Sequence, residues 1–269
     1  MVKVSYIIPT LNQAGFLQRC LDSCFGQQID DCEILVQDGG STDGTLDILH
    51  RNRDRIDAVS KPDKGQSDAI NQCIDRAKGE IIAWINSDDY YPNHDVLRTI
   101  CETFDSAPEL DIVYGDGMYV DEHGNPLRRF ASFPIDNPRR TLINHPTSPC
   151  AQPALFFKRE LYQRVGGLRQ DLHWAMDHEL WFRMFLAAKG WQYIPQEFAH
   201  LTLHADAKSV RAIGKQMREV AEIKRQFLHA NRGGWNEHLQ VVRGTMMVRL
   251  YRVAYSTGLL DHYWRLLRR

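Results

Sequence analysis

Acidic residues stand at or just after the ends of four apolar runs in this 269-residue chain: Asp38, Asp63, the adjacent pair Asp88 and Asp89, and Asp116. The pair says most, because Ile81-Ile82-Ala83-Trp84-Ile85-Asn86-Ser87-Asp88-Asp89 runs from a buried type of strand straight into two carboxylates. Carboxylates held at a rigid strand end can face phosphate oxygens through a divalent cation. In open α/β sheets, ligands bind just beyond the carboxyl ends of the strands. The other reading is a polar turn, since Asp and Ser also bond their own backbone in turns. Asp38-Gly39-Gly40 reads in the same two ways: a turn, or an acceptor for a base N–H beside glycines that let a ligand approach the backbone.

The elements that must deliver these acids alternate in type. Residues 4–10 form a strand-like run, Phe16, Leu17, Cys20, Leu21 and Cys24 recur at helical spacing, and residues 33–38 are again strand-like, which makes one βαβ unit. Turn residues fill 39–44, and Leu46, Ile48 and Leu49 mark a helix, followed by a short strand at 56–60. Ala69, Ile70, Cys73, Ile74 and Ala77 line one helical face, Gly79 stops that helix, and residues 80–86 lead to Asp88 and Asp89. This rhythm predicts a parallel, right-handed α/β sheet through about the first hundred residues, with Asp38, Asp63 and Asp88 on one edge. Thereafter residues 111–121 read as a strand and His123-Gly124-Asn125-Pro126 as the turn of a hairpin. Residues 134–153 hold several prolines and read as a loop over the site, and Leu180, Trp181, Met184, Phe185 and Ala188 pattern a helix over 177–189.

At 43% hydrophobic content the chain can bury a full core, as one large domain or a domain with an appendage. Charge is balanced, 33 Lys and Arg against 34 Asp and Glu, which gives no reason to expect nucleic acid as a partner. The distribution is uneven: from Lys208 onward thirteen basic residues face four acidic ones. The chain enters its first strand without a charged and apolar leader, which speaks for a cytoplasmic location. Six scattered cysteines without a CxxC pair read as small buried hydrophobes in a reducing compartment rather than as a zinc site. No apolar run reaches the ~18–20 residues that span a bilayer, so membrane contact, at the inner face of the cell membrane, would be peripheral.

Five segments together resemble family 2 glycosyltransferases: Ile7-Ile8-Pro9-Thr10-Leu11-Asn12, Gln37-Asp38-Gly39-Gly40-Ser41-Thr42-Asp43-Gly44-Thr45, Lys64-Gly65-Gln66-Ser67-Asp68-Ala69-Ile70-Asn71, Asn86-Ser87-Asp88-Asp89, and Ala175-Met176-Asp177-His178-Glu179-Leu180-Trp181-Phe182-Arg183. The resemblance covers residues 2–205. It implies a GT-A fold over 1–205, with a Rossmann-like, mostly parallel sheet flanked by helices. A nucleotide-sugar half at about 1–117 would join an acceptor half at about 118–205, and 206–269 would be a basic helical extension. The implied activity is metal-dependent, inverting sugar transfer, with Mn²⁺ or Mg²⁺, from a nucleotide diphosphate sugar. UDP-sugar is the common donor, and the acceptor is a saccharide or lipid-linked saccharide in surface polysaccharide synthesis.

By the same resemblance Pro9, Thr10 and Asn12 line the nucleotide pocket, Asp38 binds the base, Lys64 is the candidate to supply the diphosphate or base contact, and Asp68 and Asn71 sit near base or ribose. Asp89 is the implied metal ligand; Asp88 serves the ribose or reaches the metal through water. The family often has Asp where Asn86 stands, Arg where Ile70 stands and an acid where Met176 stands. Asp177 is the implied general base, a carboxylate that takes the proton of an attacking sugar hydroxyl; its other reading is a carboxylate favoured at a helix N-terminus. His204 resembles a late metal-side histidine, with Lys208 near phosphate; a single His near a loop is more often a surface or hydrogen-bonded residue. Gln152, His173, Trp174 and His178 are acceptor-side candidates.

Beyond Gly214 two or three amphipathic helices are expected. Tyr263-Trp264-Arg265-Leu266-Leu267-Arg268-Arg269 suits an anionic membrane surface, while ordinary packing and a homodimer remain alternatives for the tail. Two other functions also use strand-end acids: a nucleotidyltransferase, which gives Asp177 no role, and a non-catalytic nucleotide-sugar binding module.

Overall fold

The computed structural model describes residues 2–145, 148–205 and 213–230. The first half alternates as its apolar pattern requires: β1 (Val4–Thr10), α1 (Leu17–Phe25), β2 (Cys32–Asp38), α2 (Thr45–Arg51), β3 (Asp57–Ser60), α3 (Gln66–Arg76) and β4 (Ile81–Trp84). Then come α4 (Val96–Ser106), β5 (Ile112–Val120), β6 (Pro126–Phe130), α5 (Pro138–Asn144), a 3₁₀ turn at Gln152–Ala154, β7 (Leu155–Lys158), α6 (Arg159–Val165), α7 (Met176–Ala187), β8 (Trp191–Thr202) and α8 (Ile213–Ala230).

The strands form one sheet in the order β3-β2-β1-β4-β7-β5-β6, with β8 paired to β5. β1, β2, β3 and β4 are mutually parallel, β8 runs parallel to β5, and β7 is antiparallel to both β4 and β5. The α/β architecture and mostly parallel sheet are therefore as expected. β7 comes from beyond residue 150 yet lies between β4 and β5, so early and late parts of the chain share one continuous sheet.

Strands covered on both faces read as near-continuous apolar runs. All seven β1 residues are buried; Ile7 faces a core with Trp84, Phe157 and Trp181, while Tyr6 and Ile8 face one with Leu17, Leu21, Ile100 and Phe156. Such two-sided cover makes β1, β2 and β4 rigid, and their ends are dependable platforms. Five of the six cysteines are buried and all are free thiols, in keeping with their reading as core residues.

Two expectations change. Residues 134–153 are not a plain loop: Asn137 accepts the Arg140 N–H and Pro138 opens α5, a favourable N-cap and first-position pair. Asp116 is not a strand-end acid. It lies within β5, fully buried, where its carboxylate is bound by the Arg129 guanidinium, the Ser132 N–H at 2.7 Å and the Tyr193 hydroxyl at 3.0 Å.

Among the described residues no helix is long and apolar enough to cross a membrane. Lys208 and the basic aromatic tail lie outside the described residues.

Candidate functional site

β4 stops at Trp84 and the chain turns at once, the Asp89 N–H donating to the Asn86 carbonyl at 3.0 Å. The end of β8 is fastened to this turn. Tyr90 and His200 exchange backbone hydrogen bonds of 3.1 and 2.8 Å, and the Thr202 N–H donates to Asp89 Oδ1 at 3.0 Å. Two residues further on, His204 packs its ring against Phe16, centroids 4.6 Å apart, and brings Nε2 to 3.1 Å from Asp88 Oδ2.

Burial, followed by the Asp88 charge, pushes the Asp89 carboxyl well above the usual carboxylate range; the Thr202 N–H, the Asn86 amide and the Arg19 charge oppose the shift. Arg19, from α1, donates to Thr202 Oγ1 at 2.9 Å and to the Glu122 carbonyl at 3.0 Å, and lies over the Tyr90 ring at 4.5 Å. Its place as the one basic residue of α1, three positions after Phe16, is the one sequence signal that marks it.

Asn86 is the centre of an amide network. Gln66, the first residue of α3, donates to Asn86 Oδ1 at 2.9 Å; Asn86 Nδ2 donates to Gln152 Oε1 at 2.8 Å and lies 3.4 Å from Asp89 Oδ2. Gln152 in turn donates to the Trp84 carbonyl at 2.8 Å. Gln152 thus stands beside the strand-end turn. A carboxylate in place of Asn86 could not donate to Gln152 or Asp89, so the amide suits these neighbours.

A second cluster forms where β1 and β2 end side by side, Thr10 opposite Asp38. Pro9 and Thr10 are buried in β1. Asn12 is exposed in a left-handed conformation, φ 53°, with its Oδ1 accepting the Thr42 N–H at 2.8 Å. Asp38 is fully buried. Its carboxylate accepts the N–H groups of Gly40 and Ser41 at 3.1 and 3.0 Å and the hydroxyls of Ser60, at 2.6 Å, and Ser41. Here the turn geometry is present, and Asp38 holds the loop on which Asn12 and Ser41 meet.

The third group surrounds the start of α3. Gly65 takes φ 112°, which an L side chain resists, and lets the chain enter the helix. Exposed Lys64 precedes it. Asp68, in the first turn, accepts the Lys64 N–H at 3.0 Å and the side-chain amides of Gln72 and Gln170 at 2.9 and 3.1 Å. Asn71 is directed elsewhere: it donates to the Leu168 carbonyl at 2.9 Å and accepts the Leu168 N–H and the Tyr162 hydroxyl, tying α3 to the segment before α7. Opposite lies the start of α7. Ser67 donates to Met176 Sδ at 2.9 Å, and a small open cleft lies between residues 64–67 and Gln170, Leu172, His173 and Met176. Asp177 follows, half-buried, with Oδ1 accepting the His178 N–H at 2.7 Å. His178 itself is buried.

Among the described residues no group of three His, Cys, Asp or Glu closes a metal site with protein ligands alone. His204 Nε2 and Asp88 Oδ2 meet at 3.1 Å, while the Asp89 carboxylate is held by the Thr202 N–H and lies near the Asn86 amide, so a cation here would need ligands from outside the protein.

A family model described as Glycosyl transferase family 2 matches residues 5–166, more than half of the chain. The chain belongs to glycosyl transferase family 2. Asp38, Asp68, Asn71, Asp88 and Asp89 of this glycosyltransferase fall within the matched span, whereas Asp177 and His204 lie beyond it. The hyaluronan synthase of Pasteurella multocida is 27% identical over 229 residues, covering 84% of this glycosyltransferase and 23% of that protein. The family 2 chain therefore spans about a quarter of the length of that relative. S. aureus TarS 1-349, solved in complex with UDP-GlcNAc, superimposes with a TM-score of 0.68 at 19% identity, over 84% of this chain and 66% of that one. The mannosyltransferase PcManGT of Pyrobaculum calidifontis, solved with GDP-Man and Mn²⁺, gives a TM-score of 0.60 at 18% identity, over 97% and 84%. These two likenesses establish the shared fold, the GT-A arrangement that the sequence implied.

Proposed function

We propose that this glycosyltransferase moves a sugar, with inversion, from a nucleotide diphosphate sugar to a hydroxyl of a saccharide or lipid-linked saccharide, in surface polysaccharide synthesis. One observation carries the reading. The Asn86–Asp89 turn is bonded through Gln66 to the start of α3, which touches the first turn of α7, and this link supports reading Asp88, Asp89, Lys64 and Asp177 as parts of one site. The UDP-GlcNAc bound by TarS supports UDP-sugar as the donor class, and the hyaluronan synthase supports a saccharide acceptor.

In this reading residues 1–117 hold the nucleotide and residues 118–205 the acceptor. Pro9, Thr10, Asn12 and the Asp38 loop border the base, and Asp68 lies beside the base or ribose. Lys64 and the N–H groups that open α3 face the diphosphate, since a helix N-terminus favours anionic groups. Asp88, Asp89 and His204 are the residues that would hold Mn²⁺ or Mg²⁺, which when bound would neutralise charge on the departing diphosphate. Asp177 accepts the proton of the acceptor hydroxyl while its oxygen attacks the anomeric carbon and the bond to the diphosphate breaks. A single displacement inverts that carbon.

Calorimetry with UDP, GDP and ADP, with and without Mn²⁺, tests the donor site; binding of UDP enhanced by the metal is expected. Absence of any nucleotide binding in either condition would overturn the reading. With a panel of UDP-sugars and oligosaccharide acceptors, Asp177→Asn should keep UDP affinity while transfer falls by about 10²–10⁴. Near-normal transfer would remove Asp177 from the base role.

A further inference from the structure

Glu219 lies on α8, outside the span matched by the family, yet its carboxylate accepts three consecutive backbone N–H groups ahead of α7. His173 donates to Oε1 at 3.1 Å, and Trp174 and Ala175 donate to Oε2 at 2.7 and 2.6 Å. Ala175 is the N-cap residue of α7, and Met176 and Asp177 form its first turn. Ala175 has no side-chain cap of its own to offer. Donors at a helix start need partners from elsewhere, and an ionised carboxylate makes the stronger kind of hydrogen bond.

The rest of α8 is seated firmly enough to make this grip effective. Val220, Ile223 and Leu228 are buried in the core that includes Trp181 and Phe182. Phe227 packs on Phe182 with ring centroids 5.3 Å apart, Arg169 donates to Gln226 at 3.2 Å, and Lys215 lies 5.1 Å above the Trp174 ring. Among the described residues no hydrogen bond joins α8 to the Asn86–Asp89 turn or to the Asp38 loop. Its described hydrogen bonds to other elements join it instead to Arg169, to residues 173–175 and to the His145 carbonyl.

We infer that Glu219 is a positioning residue for Asp177, and that α8 is the strut which orients the segment from which the base projects. The inference rests on the reading of Asp177 as general base. With three successive amides fixed, the backbone before Asp177 cannot rotate unless α8 moves with it. An ångström-scale displacement of a catalytic group is enough to slow transfer strongly.

The test uses the full chain and Glu219→Ala, with Glu219→Gln, which keeps the shape and one acceptor oxygen, as the variant for the same comparison should the alanine chain not fold. The donor is whichever UDP-sugar of the panel is turned over fastest, followed by UDP release. Expected are a fall in kcat for transfer of about ten- to hundredfold, unchanged UDP affinity in Mn²⁺, faster hydrogen exchange at the amides of 173–175, and no added loss when the change is made in Asp177→Asn. Unchanged transfer, an equal loss of UDP affinity, or the same fold-loss in the Asp177→Asn background would each overturn the positioning role. Failure of the base assignment is seen separately, as transfer retained by Asp177→Asn with Glu219 intact; an inactive Asp177→Asn beside a fully active Glu219→Ala refutes the strut alone.

Discussion

His204 Nε2 stands 3.1 Å from Asp88 Oδ2 across 116 residues of chain. Strand geometry creates the pair: Tyr90 and His200 bridge the β4 turn to β8, Thr202 caps Asp89, and the chain has two residues left in which to bring the imidazole to Asp88. If both side chains serve a cation shared with the diphosphate, removing either should weaken UDP binding only when the metal is present. His204→Ala is expected to lower UDP affinity in Mn²⁺ by about tenfold or more, and Asp88→Asn to abolish the gain from Mn²⁺, while EDTA makes all three proteins alike. Calorimetry checks this directly; equal weakening with and without metal would leave His204 as a support for Asp88 only.

Asn86 gives a second prediction, which separates an amide from an acid at that position. Its Nδ2 donates to Gln152 Oε1 at 2.8 Å, close to the Asp89 carboxylate. Asn86→Asp replaces that donor with an acceptor, sets a third carboxylate beside Asp88 and Asp89, and leaves part-buried oxygens facing one another. Loss of the satisfied contact and the added repulsion should destabilise the metal-free protein by about 1–3 kcal/mol. A saturating mixture of Mn²⁺ and UDP should restore much of it, because a cation offsets the new charge. Thermal unfolding with and without Mn²⁺ and UDP measures both effects; a metal-free variant as stable as the parent would show that Gln152 simply reorients to donate.

These residues also show what a sequence discloses. β1, β2 and β4 are buried on both faces, so each is a continuous apolar run, and the points where the runs stop, Thr10, Asp38 and Asn86, could be read locally. The burial of Asp38 within its own turn could not, because the two serines that join it differ in origin: Ser41 is local, but Ser60 arrives on β3. Gln66 and Gln152 lie 20 and 66 residues from Asn86, and nothing in their neighbours marks an amide chain. The position of β7 inside the sheet was hidden for the same reason, since a four-residue strand with three apolar residues does not state its partners. α5 is different: Asn137-Pro138 is a legible helix start, and the prolines around it drew the reading toward a loop.

Lys224 supplies a pH prediction for the helix that carries Glu219. It is 4% exposed, donates to the His145 carbonyl, and burial pushes its amine from 10.5 down to about 7. His178, beneath the same helix, is lowered from 6.5 to about 3 by burial and then by the Lys224 charge. A group whose pKa is depressed on folding holds its proton more readily in the unfolded chain, so its contribution to stability grows with pH. The Lys224 contribution is complete above 10.5 and is lost as pH falls toward about 7; that of His178 is complete above 6.5 and is lost toward about 3. Burial also pushes the Cys150 thiol well above its ordinary value, so it too makes stability pH-dependent in the alkaline range, and the useful quantity is the difference between the parent and Lys224→Met. From pH 7 to 10 the parent should gain stability relative to the variant by about 1 kcal/mol per pH unit, the weight of one proton. Because methionine buries a similar stem without a charge to desolvate, the variant should be the more stable protein at pH 7. Urea unfolding across this range decides the matter: parallel pH profiles would mean that Lys224 keeps its ordinary proton affinity, and that α8 docks without the cost assigned to it.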